Sequence, residues 1–354
     1  MKTITSTVSG ILCALVLLWA VACHDDDDKG TDPVQPKDYP VYISDVNWSR
    51  VFIYYPISRR LDSVEINGLL DLTASADGTL LYGAARGGVA VLDATTFSVV
   101  TELPYVAHWS VAVSRDGRMI GIAGEGLYIL STSDYHVVYS DTVQCENGVF
   151  SYDCSRFYCA VGWGTGGAGD TYIVDFSDTL NPVTNRIEPP AGGVLWTVPT
   201  HDNKKLLRYS VIQKPLCSFD VYDTESDSVL FTDYLVPGYG EIALSVDGKY
   251  AFYTNCGVTG SDYPPPPGTF TIFDLEANSI QDTISKYDYA PPVCGPPGRM
   301  AVTPDGRWLV FLAGTQIGYF QILLFDLKEN TFVDYVDFSN NSSLLVSVTT
   351  QLIP

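Results

Sequence analysis

The sequence predicts an all-β fold made of seven repeated four-stranded antiparallel units, and three observations carry that expectation. The chain has 354 residues, of which 46% are hydrophobic, 12% aromatic and only 17% charged. That is the composition of a densely packed, strand-rich chain rather than a disordered or coiled-coil one. A tight turn headed by Asp recurs at Asp77-Gly78, Asp116-Gly117, Asp153-Cys154, Asp202-Asn203, Asp247-Gly248 and Asp305-Gly306. Asp, Gly and Asn tolerate the backbone angles that such turns need. Finally, an apolar strand ends at Tyr55, Asp93, Ser131, Asp175, Asp223, Asp274 and Asp326, at intervals of 38 to 52 residues.

Along the chain, Lys2 and the apolar stretch from Ile11 to Ala22 come first. The stretch is too short to cross a bilayer comfortably and has the form of an export signal. It ends in Ala20-Val21-Ala22-Cys23, which resembles a bacterial lipobox and implies a signal peptide over 1–22 and lipidation of Cys23. His24, Asp25 to Asp28, Lys29, Gly30 and Pro33 follow, so 23–40 is expected to be a flexible acidic tether. An acidic cluster directly behind the lipidated Cys resembles the surface-export signal of Bacteroidota lipoproteins.

From residue 41 to 354 the repeat takes over. Each unit reads as an inner strand, the Asp turn, a second strand, a third strand and an outer strand; Leu70 to Leu103 is the clearest copy. Seven third strands face six Asp turns. The missing inner strand is supplied by the alternating segment Leu344 to Leu352, while Val41 to Ile66 provides the other three strands of that unit. The chain's two ends thereby complete one blade, and no sheet edge is left open around the circle. Four strands at this period specify a seven-bladed β-propeller, circularly closed by pairing N- and C-terminal strands in one blade.

Segments such as Leu80-Leu81-Tyr82-Gly83 and Val89-Ala90-Val91-Leu92-Asp93 make the chain resemble the YVTN and YncE-like propellers of bacterial surface-layer proteins over about residues 41 to 354. A WD40 pattern is weaker, because no Trp-Asp pair ends any third strand. Propellers host many activities, so the resemblance speaks for fold and not for function.

Insertions fall at 163–170, 254–268 and 286–298, all on the face opposite the Asp turns, and loops on a rigid scaffold are where binding residues concentrate. That face is therefore the expected binding face. His108, Trp109, Trp163, Trp196, Tyr263 and Tyr319 are its candidate ligand-binding aromatics, with Tyr105, Tyr239, Tyr287, Tyr289 and Phe320 nearby in sequence. Stepping back six residues from each turn Asp gives Asp71, Ser110, Asn147, Trp196, Glu241 and Arg299. These are expected to ring the mouth of the central channel, with Glu241 and Arg299 as further ligand contacts.

Acidic residues outnumber basic ones 41 to 20, a net charge of −21, which excludes an electrostatic grip on nucleic acid. His24, His108, His136 and His201 share no metal-ligand spacing with one another or with Cys, so no metal is expected. Nucleophile elbow, P-loop, dinucleotide fingerprint and haem-attachment motifs are missing from the sequence, and no cofactor or catalytic residue is expected. Were a lactonase-like hydrolase hidden here, His108, Glu241 and Arg299 would be its group. An exported chain permits disulfides: Cys256 with Cys294 is the preferred pair and Cys145 with Cys154 or Cys159 the next. Asp62-Ser63-Val64 and four similar triplets resemble Bacteroidota O-glycosylation acceptors or follow from the repeat alone.

Together these features point to a monomeric, non-enzymatic lipoprotein of the outer membrane, facing the cell surface or the periplasm. It would be held to the membrane by its lipid only and bind a glycan or other small-molecule nutrient for an outer-membrane transporter. A protein-interaction scaffold of the cell envelope and a lactonase-like hydrolase are the alternatives.

Overall fold

The computed structural model describes residues 37–354 apart from 46–49, 67, 86, 106–109, 162–168, 179–180, 189–192, 214–215, 236–240, 256–268, 286–299, 315–319, 338–344 and 351–354. Cys23, His108, Trp109, Trp163, Cys256, Tyr263, Cys294, Arg299 and Tyr319 lie outside the described residues. One compact unit runs from Asp38 to Pro354. Asp38 is tied into it, since its carboxylate accepts from the Ile57 and Ser58 N–H groups at 2.9 Å each.

Seven sheets of four antiparallel strands form the unit, and the described residues hold no helix. Each innermost strand touches those of the blades on either side, so the blades close a ring. It is a seven-bladed β-propeller. Blade 2 shows the pattern: Leu69–Ala74, Leu80–Ala85, Gly88–Asp93 and Val99–Leu103, from the channel outward. Blades 3 to 7 follow over 110–141, 145–187, 193–235, 242–285 and 300–337. Blade 1 is composite as expected. Leu345–Thr350 is its innermost strand and pairs with Val41–Asp45, which is followed outward by Arg50–Tyr55 and Arg60–Glu65.

All six Asp turns form, and each is locked by the same network. The hydroxyl two residues before the Asp (Ser75, Ser114, Ser151, Thr200, Ser245, Thr303) donates to its Oδ1 at 2.6 to 2.7 Å. It also accepts the N–H that starts the second strand, at 2.8 to 3.0 Å. The residue after the Asp has φ of +56° to +70° in every copy, the left-handed region that favours Gly and Asn. The Ser75 hydroxyl and then the Thr79 N–H hold the Asp77 carboxyl below its usual range. The Ser245 hydroxyl does so for Asp247, against a smaller desolvation penalty.

The core is divided among the seven seams between blades. Phe219, Tyr253 and Phe273 fill the seam of blades 5 and 6, and Phe270, Phe311 and Phe325 that of blades 6 and 7. Each such ring contributes about 1.5–3 kcal/mol through removal from water. The seam of blades 4 and 5 differs. Among the described residues its buried apolar cluster is Tyr158, Ile173, Leu206 and Tyr222, with Val149 and Ile187 packed against it. Arg208 is fully buried in this blade, its guanidinium 4.7 Å from the Tyr222 ring centroid. Burial pushes its pKa down, opposed by Asp220. Asp220, directly across the ladder, accepts from Ser218 at 3.0 Å and Thr232 at 2.8 Å.

Cys145 and Cys159 form a disulfide, with Cα atoms 5.9 Å apart. Cys154 was an equal candidate partner for Cys145 and is instead a buried thiol. It occupies the left-handed position of the Asp153 turn, at the end of the inner strand Cys145–Phe150 opposite to Cys145, so the strand's length separates them. Closing a loop with a sequence separation of 14 stabilises by about 3 kcal/mol. Replacing both Cys145 and Cys159 with Ala should therefore lower the denaturant midpoint while leaving the variant insensitive to reductant. An unchanged midpoint would refute a stabilising bridge.

Candidate functional site

Repeat geometry places chemically identical positions of successive blades side by side. The residue between the turn's hydroxyl and its Asp is Ala76, Arg115, Tyr152, His201, Val246 and Pro304 in blades 2 to 7. Three of these stack. The Arg115 guanidinium lies 3.6 Å from the Tyr152 ring centroid. Tyr152 in turn stacks on the His201 ring at 4.3 Å with 25° between planes. Next in the circle, His201 rests on Gly248, where an added Cβ would come within 2.6 Å of its Nδ1. Gly248 thus supplies both the turn's left-handed φ and room for the imidazole. The Asn203 amide oxygen accepts the Tyr152 N–H at 3.0 Å and fixes the middle member.

This ladder borders a depression of about 430 Å³ at the channel mouth on the Asp-turn face. Its walls come from five blades: Val113, Val149 and Phe150, Val198 and Pro199, Ile242 to Leu244, and Met300 with Val302. An apolar floor with few convergent polar groups is the usual form of a ligand pocket. Tyr152 is 36% exposed, so its edge reaches the rim although Arg115 and His201 stack on its ring. Burial, and then the neighbouring Arg115 charge, push the His201 pKa below its ordinary value, against Asp247 and Asp202. His201 is therefore neutral at pH 7 and can both donate and accept a hydrogen bond.

Of the ligand contacts expected on the opposite face, Trp196 and Glu241 are described. Trp196 is partly buried and packs on the cluster of Leu207, Tyr209, Phe219 and Ile242. Glu241 is buried at the start of blade 6, its N–H bonded to the Thr254 hydroxyl at 3.4 Å. Asp71, Ser110 and Asn147 of the expected ring are buried too. Asp71 accepts from the Leu72 N–H at 2.6 Å and the Val111 N–H at 3.0 Å, joining blade 2 to blade 3. Asp71 thus ties a seam, whereas the Glu241 N–H bonds within its own blade. Bulges at Leu69/Asp71, Cys145/Asn147 and Val194/Trp196 sit at the same point of their inner strands. Tyr105 packs at 4.9 Å on Tyr128. Among the described residues no group of three or more His, Cys, Asp or Glu could hold a metal ion.

The stack of Arg115, Tyr152 and His201 was missed by sequence reading, which weighed His201 only as a metal ligand. Aligning the repeats on the turn Asp and reading down the preceding column would have found it.

No protein-family model matches the chain, and no curated protein matches it. Solved structures do. The dihydro-heme d1 dehydrogenase NirN in complex with DHE is similar at 14% identity and a TM-score of 0.58, covering 91% of this chain and 77% of that one. The β-propeller domain of Myceliophteria thermophila Cps50 (Swd1) is similar at 11% identity and a TM-score of 0.57, covering 77% and 87%. At these identities the likeness is one of architecture, and by architecture this chain is a β-propeller.

Proposed function

We propose that the chain is a ligand-capturing propeller that holds its ligand at the channel mouth of the Asp-turn face. The observation that carries this reading is the Arg115, Tyr152 and His201 ladder beside an apolar depression of about 430 Å³. The stacked Arg115, Tyr152 and His201 present polar groups and the exposed edge of Tyr152 at the rim of an apolar depression, which suits a ligand with an apolar body and a polar edge, such as a sugar. A scaffold built on rigid strands lowers the ordering cost of binding. The NirN structure, a propeller of similar architecture, is of a complex with DHE.

The N-terminal sequence extends this proposal to place. The apolar stretch ending in Ala22-Cys23 and the acidic run after it suit a lipid-anchored protein of the outer membrane that passes nutrient to a transporter.

Thermal shift of residues 31–354 against glycans, corrinoids and lactones tests the capture reading, because a ligand bound only by the folded state raises the melting temperature. The expected result is a saturable shift without turnover. Tyr152→Ala removes the ring that holds Arg115 and His201 in place and should weaken binding at least about tenfold, a loss of roughly 1.4 kcal/mol. Binding unaffected by both Tyr152→Ala and His201→Ala would remove the site from the channel mouth. Turnover of a lactone would replace capture with hydrolysis, and a stable protein partner without any ligand shift would replace it with a scaffold.

A further inference from the structure

Two neighbouring seams of the propeller present the same acceptors, and only one of them is filled. Where blade 5 meets blade 6, Lys205 reaches across. Its Nζ donates to the Leu275 carbonyl and, at 2.9 Å, to the Asn278 amide oxygen. Both acceptors belong to the turn after the third strand of blade 6, Thr269–Asp274. Blade 7 repeats that turn after Phe320–Asp326, with Leu327 for Leu275 and Asn330 for Asn278. The copies match closely: Asn278 and Asn330 have φ of +50° and +52°. The Leu275 N–H bonds to the Lys249 carbonyl at 2.9 Å and the Leu327 N–H to the Arg307 carbonyl at 2.8 Å.

The blade 6 counterpart of Lys205 is Tyr250, since each N–H bonds to its turn hydroxyl, Thr200 or Ser245. Tyr250 brings no ammonium group. An open groove of about 650 Å³ remains there, lined by Tyr250, Leu327 and Asn330 and by the carboxylates of Asp247, Asp282 and Asp305. The Asn330 Nδ2 donates to Asp282 at 3.2 Å, which leaves its amide oxygen as the acceptor. Lys328 also borders the groove, but it is 77% exposed and lies 4.0 Å from Glu329.

We infer that the groove between blades 6 and 7 binds a primary ammonium group, from a free alkylamine or from a lysine side chain, through the Leu327 carbonyl, Asn330 and Asp282. The Tyr250 ring provides a face for the cation, and Phe252 and Ile272 receive its alkyl chain. The groove adjoins the channel-mouth depression at Ser245 and Val246, but Leu327, Asn330 and Asp282 take no part in that depression, so the two proposals are tested separately.

Calorimetric titration with 1,5-diaminopentane and with Nα-acetyl-lysine amide, in phosphate buffer at fixed ionic strength, tests it. Saturable binding of either probe is expected. Binding of both at similar affinity identifies a lysine side chain as a sufficient source, and binding of the diamine alone identifies a free amine. Asn330→Gly retains the left-handed turn while removing the acceptor and should weaken binding at least tenfold, as should Asp282→Asn. Tyr250→Lys places an ammonium where Lys205 has one, and should abolish amine binding while raising the melting temperature. Binding by neither probe, equal binding of tetramethylammonium, or amine affinity unchanged in all three variants would overturn the inference.

Discussion

A chain ending at residue 343 is expected to lose cooperative unfolding altogether. The deleted segment contains Leu345–Thr350, which pairs with blade 1 at Val41↔Thr350, Tyr42↔Thr349, Ile43↔Val348, Ser44↔Ser347 and Asp45↔Leu345. Without it, Val41–Asp45 becomes a bare edge in the channel, although Val41 and Ile43 are fully buried in the intact ring. Each ladder hydrogen bond contributes about 0.5–1.5 kcal/mol net and each buried aliphatic side chain about 1.5–3 kcal/mol. The total is on the order of 5–10 kcal/mol, comparable with the whole stability of an ordinary domain. Guanidinium unfolding of the truncated chain should show no sharp transition, and a synthetic 341–354 peptide added in excess should restore one in proportion to its concentration. A truncated chain that unfolds at the parent midpoint would show that ring closure contributes little.

The second large effect centres on Phe157. Its ring is fully buried between Gly121 of blade 3 and Gly148 of blade 4. A Cβ on Gly121 would lie 2.2 Å from Cε2 of that ring, and one on Gly148 would lie 2.3 Å from Cζ. Phe150 restrains the ring in a T-shaped contact at 4.8 Å. Gly121→Ala and Gly148→Ala should each cost about 1–3 kcal/mol or more by overpacking, and Phe157→Ala about 3–5 kcal/mol by leaving a cavity. The clash is specific, so Gly121→Ala combined with Phe157→Leu should cost less than the sum of the two single changes, by at least about 1 kcal/mol. Additive denaturant midpoints would show that the glycine is needed for some other reason.

The architecture was legible because its determinants are local and repeated. Asp77, Asp116, Asp247 and Asp305, each before a Gly, mark turns whose φ few other residues accept, and the alternating 344–352 segment had to pair somewhere. The disulfide was only partly legible. Six cysteines remain in the propeller sequence and spacing permits many pairings, whereas Cys145 and Cys159 meet diagonally across two paired strands beside a bulge at Cys145/Asn147. The channel-mouth ladder was less legible still, because Arg115, Tyr152 and His201 are separated by whole blades in sequence and meet through rotational repetition. Insertion length drew attention to the opposite face, where most of the expected ligand contacts lie outside the described residues. Trp196 and Asp71 show what composition cannot reveal: an aromatic or a carboxylate near a channel can serve the seam between blades.

The pairing of Val41 with Thr350 also sets an order of events in time. The partner of Val41–Asp45 is Leu345–Thr350, about 300 residues later, and contacts of such separation are slow to form. As the chain is delivered from its N-terminal side, blades 2 to 7 have all their strands before blade 1 has its own. Until the final residues arrive, Val41–Asp45 waits with one side of its backbone open, a template for pairing with another chain. The same closure that removes an edge from the finished ring therefore creates a vulnerable interval, whose length is set by how soon Leu345–Thr350 follows Val41–Asp45.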